Sequence, residues 1–188
     1  MNTDQERIGD WIQTYSGGQV WPLDPRPEEI FIEDIAHALA HQCRFSGHCE
    51  EFYSVAQHSV LVSEQLHGVE ALWGLLHDAS EAYLVDLPRP LKRFGEIGRL
   101  YKEAETKLMK AICIRFGLPE EEPEGVRYFD NALLTTEQRD LMKKPPQAWS
   151  ETTPPLSGKI YPVPPSVAEW KFMERFWKLN GLGRKETS

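Results

Sequence analysis

The stretch Gly74-Leu75-Leu76-His77-Asp78-Ala79-Ser80-Glu81-Ala82-Tyr83 combines an apolar helical pattern with polar side chains that can bind a metal ion. His77 and Asp78 stand next to each other where the pattern predicts a buried helix. A carboxylate buried without a partner costs several kcal/mol or must change its pKa. We therefore expect a cation beside Asp78, and a divalent metal ion is the simplest candidate.

Two further segments offer ligands in similar surroundings. His58 lies in an apolar helical pattern at 52–62, and Asp130 lies in another at 126–134. Two imidazoles and two carboxylates suit one divalent ion such as manganese, cobalt, iron, magnesium or zinc. Because no cysteine belongs to the set, we expect an open catalytic site in which a water is acidified, and not a closed structural zinc site.

Acids and cations follow the His-Asp pair. Glu81 lies four residues after His77 and three after Asp78, so on a helix the three side chains share one face. Asp86 opens a segment that continues to Arg93 and carries Arg89, Lys92 and Arg93. An anionic substrate could contact these cations while Glu81 and Asp86 handle protons.

These residues resemble the HD superfamily of metal-dependent phosphohydrolases, whose signature is a His, then a His-Asp pair, then a distant Asp. The resemblance covers about 30–142 and is closest to bacterial 5'-deoxynucleotidases and phage deoxynucleoside triphosphohydrolases. It implies an all-α HD-domain helical bundle that holds one divalent metal ion, with Glu81 and Asp86 as catalytic carboxylates. The implied ligands are His58, His77, Asp78 and Asp130.

The resemblance also implies substrate contacts. In those nucleotidases an Arg-aromatic pair before the first metal histidine helps to hold the nucleotide, and Arg44-Phe45 resembles it, with Phe where Trp is usual. The loop 46–51 that follows resembles an insertion bordering the pocket, where His48 is a candidate contact. A zinc knuckle built from His41, Cys43, His48 and Cys49 is disfavoured because the spacing lacks a close cysteine pair.

The predicted reaction is hydrolysis of a phosphate bond in a (deoxy)nucleotide, and cleavage of a monophosphate is the nearest family likeness. Release of intact triphosphate from a deoxynucleoside triphosphate is the main alternative. Hydrolysis of an alarmone of the guanosine tetraphosphate type is another. A nucleotide sensor without turnover is the alternative from a different class, but Glu81 beside the pair favours an enzyme.

The composition limits the class of protein. At 188 residues, we expect a single domain over 1–188. The 21 basic and 29 acidic residues give a net charge of −8, which disfavours a polymeric nucleic-acid partner and is compatible with a small nucleotide. Three cysteines, with neither a signal-type run nor a membrane-length apolar stretch, predict a soluble cytoplasmic protein. A homo-oligomer is expected by resemblance alone.

The pattern along the chain predicts a loop-rich N-terminus with brief strands at 15–21 and 29–32. Apolar spacing and helix-stop residues, such as Gly117 before Pro119, predict the helices. A Pro-rich loop at 145–165 precedes a C-terminal helix at 166–180, whose Val167, Trp170, Met173 and Trp177 are expected to dock on the core. The other predicted helices cover 32–39 or slightly more, 54–66, 69–83, 97–116 and 123–141.

Overall fold

The structure, a computed structural model, describes residues 7–181 and is mostly helical, which confirms the all-α prediction. One two-stranded antiparallel sheet, β1 and β2, precedes the helices. The elements are β1 (Ile12–Gln13), β2 (Gln19–Val20), α1 (Ile32–His41), α2 (Val55–Glu64), α3 (Gly68–Leu76), α4 (Glu81–Leu84), α5 (Arg89–Arg93), α6 (Gly95–Phe116), α7 (Glu124–Leu141) and α8 (Pro165–Leu179).

Of the two predicted N-terminal strands, the one at 15–21 contains β2, whereas the one at 29–32 is not a strand. Both strands lie within residues 12–20, where Ile12 pairs with Val20. The segment 29–32 instead contains the end of a 3₁₀ turn, Pro27–Glu29, and the start of α1. Gly17 explains the difference, because its φ of +87° allows a tight reversal between the two strands.

Helix α2 is the central helix of the fold. Its side chains are buried on nearly every face, and it packs against α1, α3, α7 and α8. Ser54 begins it, with a side-chain oxygen that accepts a hydrogen bond from the Gln57 N–H at 3.1 Å. A helix surrounded on all sides places His58 in the interior, where its exposure is 0%.

Helix α3 ends earlier than the sequence pattern suggested. The predicted helix 69–83 stops at Leu76, and turns lead to the short helix α4. The Ala79 N–H donates to the Leu76 carbonyl and the Glu81 N–H to the Asp78 carbonyl, both at 2.9 Å. These i to i+3 bonds tighten the chain. His77 and Asp78 therefore sit at a helix terminus and not in the middle of a helix.

A glycine permits the close approach of α2 and α3. A Cβ added at Gly74 would lie 2.9 Å from a Leu66 side-chain carbon and 3.4 Å from the Ser63 Cα. A larger residue would therefore crowd the side chains of Leu66 and Val62, which would have to shift. The approach brings the end of α3, with His77, close to His58.

The last helix docks on the core, and two of the four predicted contact residues, Met173 and Trp177, pack against it while partly buried. Ala168, Phe172 and Phe176 are buried, whereas Trp170 is 58% exposed and Val167 is 37% exposed. The sequence 165–179 carries two overlapping apolar stripes, and both have helical spacing. Contact with α1, α2 and α3 selects the stripe that contains the two phenylalanines.

The Pro-rich segment is ordered by contacts with neighbouring helices. The Leu156 N–H donates to the Thr136 hydroxyl at 2.8 Å, and the Ile160 N–H donates to Asp140 Oδ2 at 2.8 Å. Gln57 of α2 binds the main chain of Tyr161 and Val163 at 2.8 and 3.0 Å. The segment thus runs across α7 and α2 as a fixed strap.

Among residues 7–181, no helix is long and apolar enough to cross a membrane.

Candidate active site

The four predicted ligand side chains lie together at the meeting point of α2, the end of α3, and α7. The Nε2 atom of His58 is 3.2 Å from His77 Nε2 and 3.2 Å from Asp130 Oδ1. Asp78 Oδ2 lies 3.2 Å from His77 Nε2 and 3.7 Å from His58 Nε2. Adjacent ligand atoms around a metal ion with bonds of about 2.1 Å are about 3.0–3.4 Å apart. The three spacings of 3.2 Å fall in this range, whereas the His58–Asp78 spacing and the 3.9 Å between His77 Nε2 and Asp130 Oδ1 are longer. The ligand atoms of His58, His77 and Asp130 all lie within 4.8 Å of one another, and Asp78 lies beside the two histidines.

The orientation of the imidazoles also fits a cation. His77 Nδ1 lies 2.8 Å from the Gly74 carbonyl, which can only accept, so Nδ1 carries the proton. His58 Nδ1 is 2.6 Å from Glu137 Oε1. Both Nε2 lone pairs then point to the same place as the oxygens of Asp78 and Asp130. Electron-rich atoms at such distances repel one another unless a proton or a metal cation lies between them, and a supporting acceptor orients the imidazoles of histidine-metal sites in the same way.

Sequence reasoning missed Glu137, which is 0% exposed. Its Oε2 accepts a hydrogen bond from Arg44 Nη2 at 3.2 Å while its Oε1 faces His58. Arg44 Nη1 also donates to Asp78 Oδ2 at 3.3 Å. Glu137 lies two helical turns after Asp130, so the shared face of α7 was the available signal.

The charges in this network stabilise one another. Burial opposes ionisation of Glu137, but Arg44 and His58 hold the pKa of its carboxyl below the usual range. Burial likewise opposes the charge of Asp130, yet His58 and His77 lower its pKa to about 2. Burial disfavours a charged His77, but Asp78 outweighs it and raises the pKa of His77 to about 9. The cluster thus favours a positive charge at its centre.

A cavity of about 1030 Å³ opens beside this cluster. It is large enough for a nucleotide, since ligand pockets usually measure about 300–1,000 Å³. The predicted catalytic and substrate residues all lie along it, together with the two carboxylate ligands. They are Arg44, Phe45, His48, Asp78, Glu81, Asp86, Arg89, Lys92 and Asp130.

Lys92 and Arg89, two of the cations that line the cavity, are paired with acids. Lys92 Nζ donates to Glu81 Oε1 at 2.7 Å and to Glu105 Oε1 at 3.3 Å. Arg89 Nη2 donates to Asp130 Oδ2 at 3.1 Å. Burial raises the pKa of the Glu81 carboxyl, and Asp78 adds to this effect while Lys92 opposes it. The structure thus connects the cationic segment 89–93 directly to the carboxylates.

One wall of the cavity is strained. Phe45 and Ser46 have φ values of +54° and +52°, and Gly47 follows at +81°. Left-handed backbone at residues other than glycine costs about 1–3 kcal/mol each and concentrates at functional sites. This turn places Phe45 and Ser46 on the cavity lining, where the predicted loop 46–51 begins.

Trp149 of the Pro-rich strap is the second residue that the sequence did not reveal. Its ring centroid lies 5.9 Å from that of Phe45, with an angle of 46° between the planes, and both residues line the cavity. The two are 104 residues apart, and no local pattern marks the contact. The strap thus completes an aromatic wall at the rim.

The chain is similar along most of its length to two known bacterial proteins. It is 39% identical over 179 residues to the uncharacterized protein YfdR of Escherichia coli strain K12, covering 92% of this chain and 97% of that protein. It is 39% identical over 138 residues to an uncharacterized protein of Rhodobacter capsulatus, 69% of each chain. No protein-family model matches. The extent of the first similarity shows that this chain belongs to the same family as YfdR.

Proposed function

We propose that the chain is a metal-dependent hydrolase of a phosphate bond in a (deoxy)nucleotide, of the HD type. The observation that carries this proposal is the convergence of His58, His77 and Asp130, with Asp78 beside the two histidines, next to a cavity rich in cations. A structural metal site has no need of such a cavity, whereas a hydrolase needs both.

The ligand set supports a single divalent ion. His58, His77, Asp78 and Asp130 would hold it, and the bound ion would polarise a phosphate oxygen and lower the pKa of a water. Asp78 and Asp130 reach the cavity, whereas the histidines lie behind them with little exposure. One side of the set thus faces the space that a phosphate and a water would occupy.

Glu81 and Asp86 have the roles of proton carriers in this proposal. Glu81 is 3% exposed, lines the cavity and accepts a hydrogen bond from Lys92. Burial raises the pKa of the Glu81 carboxyl, so Glu81 holds a proton more readily than an exposed acid does, and this favours a role in general acid-base catalysis. Asp86 lines the same cavity, and its main-chain N–H is held by Gln42 Oε1 at 3.1 Å.

Arg44, Arg89 and Lys92 would offset the charge of the phosphate. All three already contact acids of the site, so their side chains are positioned before any substrate arrives. Positive charge fixed where negative charge develops is the main source of stabilisation in phosphoryl transfer. A phosphate oxygen could replace a carboxylate as the partner of Lys92 or Arg89.

The base would lie against Phe45 and Trp149. Stacking on aromatic rings contributes about 1–3 kcal/mol per base and tolerates different bases. Both rings line the same cavity as Asp78 and Asp130, so a nucleotide could place its phosphate and its base in one cavity. His48, on the same lining, is a candidate for a polar contact.

Phosphorus NMR of a nucleotide panel tests this function. Metal-stripped protein should release inorganic phosphate from a deoxynucleoside monophosphate once manganese, cobalt or zinc is added. Tripolyphosphate released from a triphosphate would identify the alternative reaction, and binding without product would favour a sensor. Asp78→Asn should lower turnover at least about 100-fold, because it removes a ligand. The control Asp10→Asn, at an exposed position, should leave turnover unchanged. Unchanged turnover in Asp78→Asn would contradict the proposal.

A further inference from the structure

A second cluster of metal-binding side chains lies outside the cavity, where α1 meets α8. It consists of His37, His41 and Glu169, and one ligand atom of each lies within 4.8 Å of the others. His37 and His41 are four residues apart on α1 and therefore share a face. Glu169 comes from the C-terminal helix, so the cluster joins two elements that are far apart in the chain.

The spacing of two of the donor atoms is compatible with a metal site. His37 Nδ1 lies 3.1 Å from Glu169 Oε2, a spacing that two ligands of one ion can have. His41 Nδ1 is 2.8 Å from the His37 carbonyl oxygen, which can only accept. The proton of a neutral His41 is therefore on Nδ1, and its Nε2 lone pair is free.

The ring of His37 is held in place from both sides. Tyr15 stacks on it with centroids 3.6 Å apart and planes 8° apart, and the His41 ring lies 4.2 Å away. Tyr15 itself is anchored through its neighbour Ser16, whose N–H and hydroxyl donate to Asp34 at 2.6 and 3.0 Å. A ligand with a fixed orientation loses little freedom when an ion binds.

We propose that His37, His41 and Glu169 form a second site for a divalent transition metal, which fastens the C-terminal helix to α1. Two imidazoles and one carboxylate favour zinc, copper, nickel or cobalt over magnesium and calcium, which prefer oxygen ligands. His37 and Glu169 keep 29% and 28% of their side-chain exposure, so water can complete the coordination. This proposal does not depend on the proposed hydrolase function.

Binding at this site should stabilise the fold. The ion would bind only when α1 and α8 are docked, so it would raise the unfolding temperature through linkage. Trp170, next to Glu169 and 58% exposed, provides a spectroscopic probe, because Cu²⁺ and Ni²⁺ quench nearby indoles. Neither effect requires turnover.

Zn²⁺ and Cu²⁺ titrations test the second site. In a His77→Ala/Asp78→Ala background that disables the first cluster, we expect Zn²⁺ binding, measured against a chromophoric chelator, to weaken at least about tenfold when His41→Ala is added. Glu169→Gln should also weaken it. The exposed His67→Ala is the matched control and should bind as the background does.

Two further readouts remain informative if that background does not fold. Wild-type protein should bind one more Zn²⁺ per chain than His41→Ala, a change at an exposed position. Cu²⁺ paramagnetic resonance should show hyperfine coupling to one fewer nitrogen in the same variant. Equal stoichiometry and an unchanged spectrum would overturn the proposal, as would equal Zn²⁺ affinity of the His41→Ala and His67→Ala proteins.

Discussion

Replacing Glu137 by Leu should destabilise the protein strongly. The carboxylate is 0% exposed and accepts from Arg44 at 3.2 Å, and it lies 2.6 Å from His58 Nδ1. Its loss would leave the Arg44 guanidinium, 10% exposed, with only the longer contact to Asp78. Removing one partner of a buried charge pair costs about 3–5 kcal/mol. In a domain of this size that lowers the unfolding temperature by about 6–20 °C.

The amide variant separates charge from shape. Glu137→Gln keeps the volume but offers one acceptor where two donors point, so its NH₂ group faces a donor. We expect it to be destabilised as well. The exposed Glu174→Gln, in α8, is the matched control and should change the free energy of unfolding by no more than about 0.5 kcal/mol.

Urea unfolding of the metal-free proteins measures the changes in the free energy of unfolding. Zinc titration measures a second effect, the change in metal affinity. Because Glu137 orients His58, its loss should weaken metal binding about 10–100-fold. A double change, Arg44→Leu/Glu137→Leu, should cost less than the sum of the single changes, since the unpaired charge is then absent. A loss below about 1 kcal/mol for Glu137→Leu, with simple additivity in the double variant, would refute this account of the network.

Three other substitutions test the cavity and its supports. Gly98→Ala should lower the free energy of unfolding by about 1–3 kcal/mol and also lower turnover, because its Cβ would lie 2.6 Å from the Lys92 carbonyl oxygen. The control Gly158→Ala has open space around its Cβ and should change neither. Trp149→Ala should raise KM about fivefold or more for nucleotides but not for deoxyribose 5-phosphate, whereas the exposed Trp170→Ala should leave both unchanged. Ser54→Ala should cost about 1 kcal/mol in urea unfolding, because the cap of α2 is lost.

The site was predictable where chemistry is local. His77 and Asp78 are adjacent, and His58 and Asp130 each interrupt an apolar pattern. Buried polar and charged side chains need a partner, so these residues could be predicted to contact one another or a cation. For Glu137 the signal was weaker, a position on the same face of α7 as Asp130, and Trp149 gave none. An acid on a helix is usually solvated, and a tryptophan in a Pro-rich segment can pack anywhere, so only their neighbours reveal what they do.

The all-α class, most helix boundaries and the residue types of the candidate metal site could be predicted from the amino-acid sequence alone. Local hydrogen bonding, apolar spacing and end signals such as Ser54 and Gly117 set these, and they act over a few residues. The end of α3 at Leu76, the buried face of α8 and the meeting of Arg44 with Glu137 were decided by tertiary structure. All three features depend on which helices pack together, and that packing depends on contacts between segments distant in the chain.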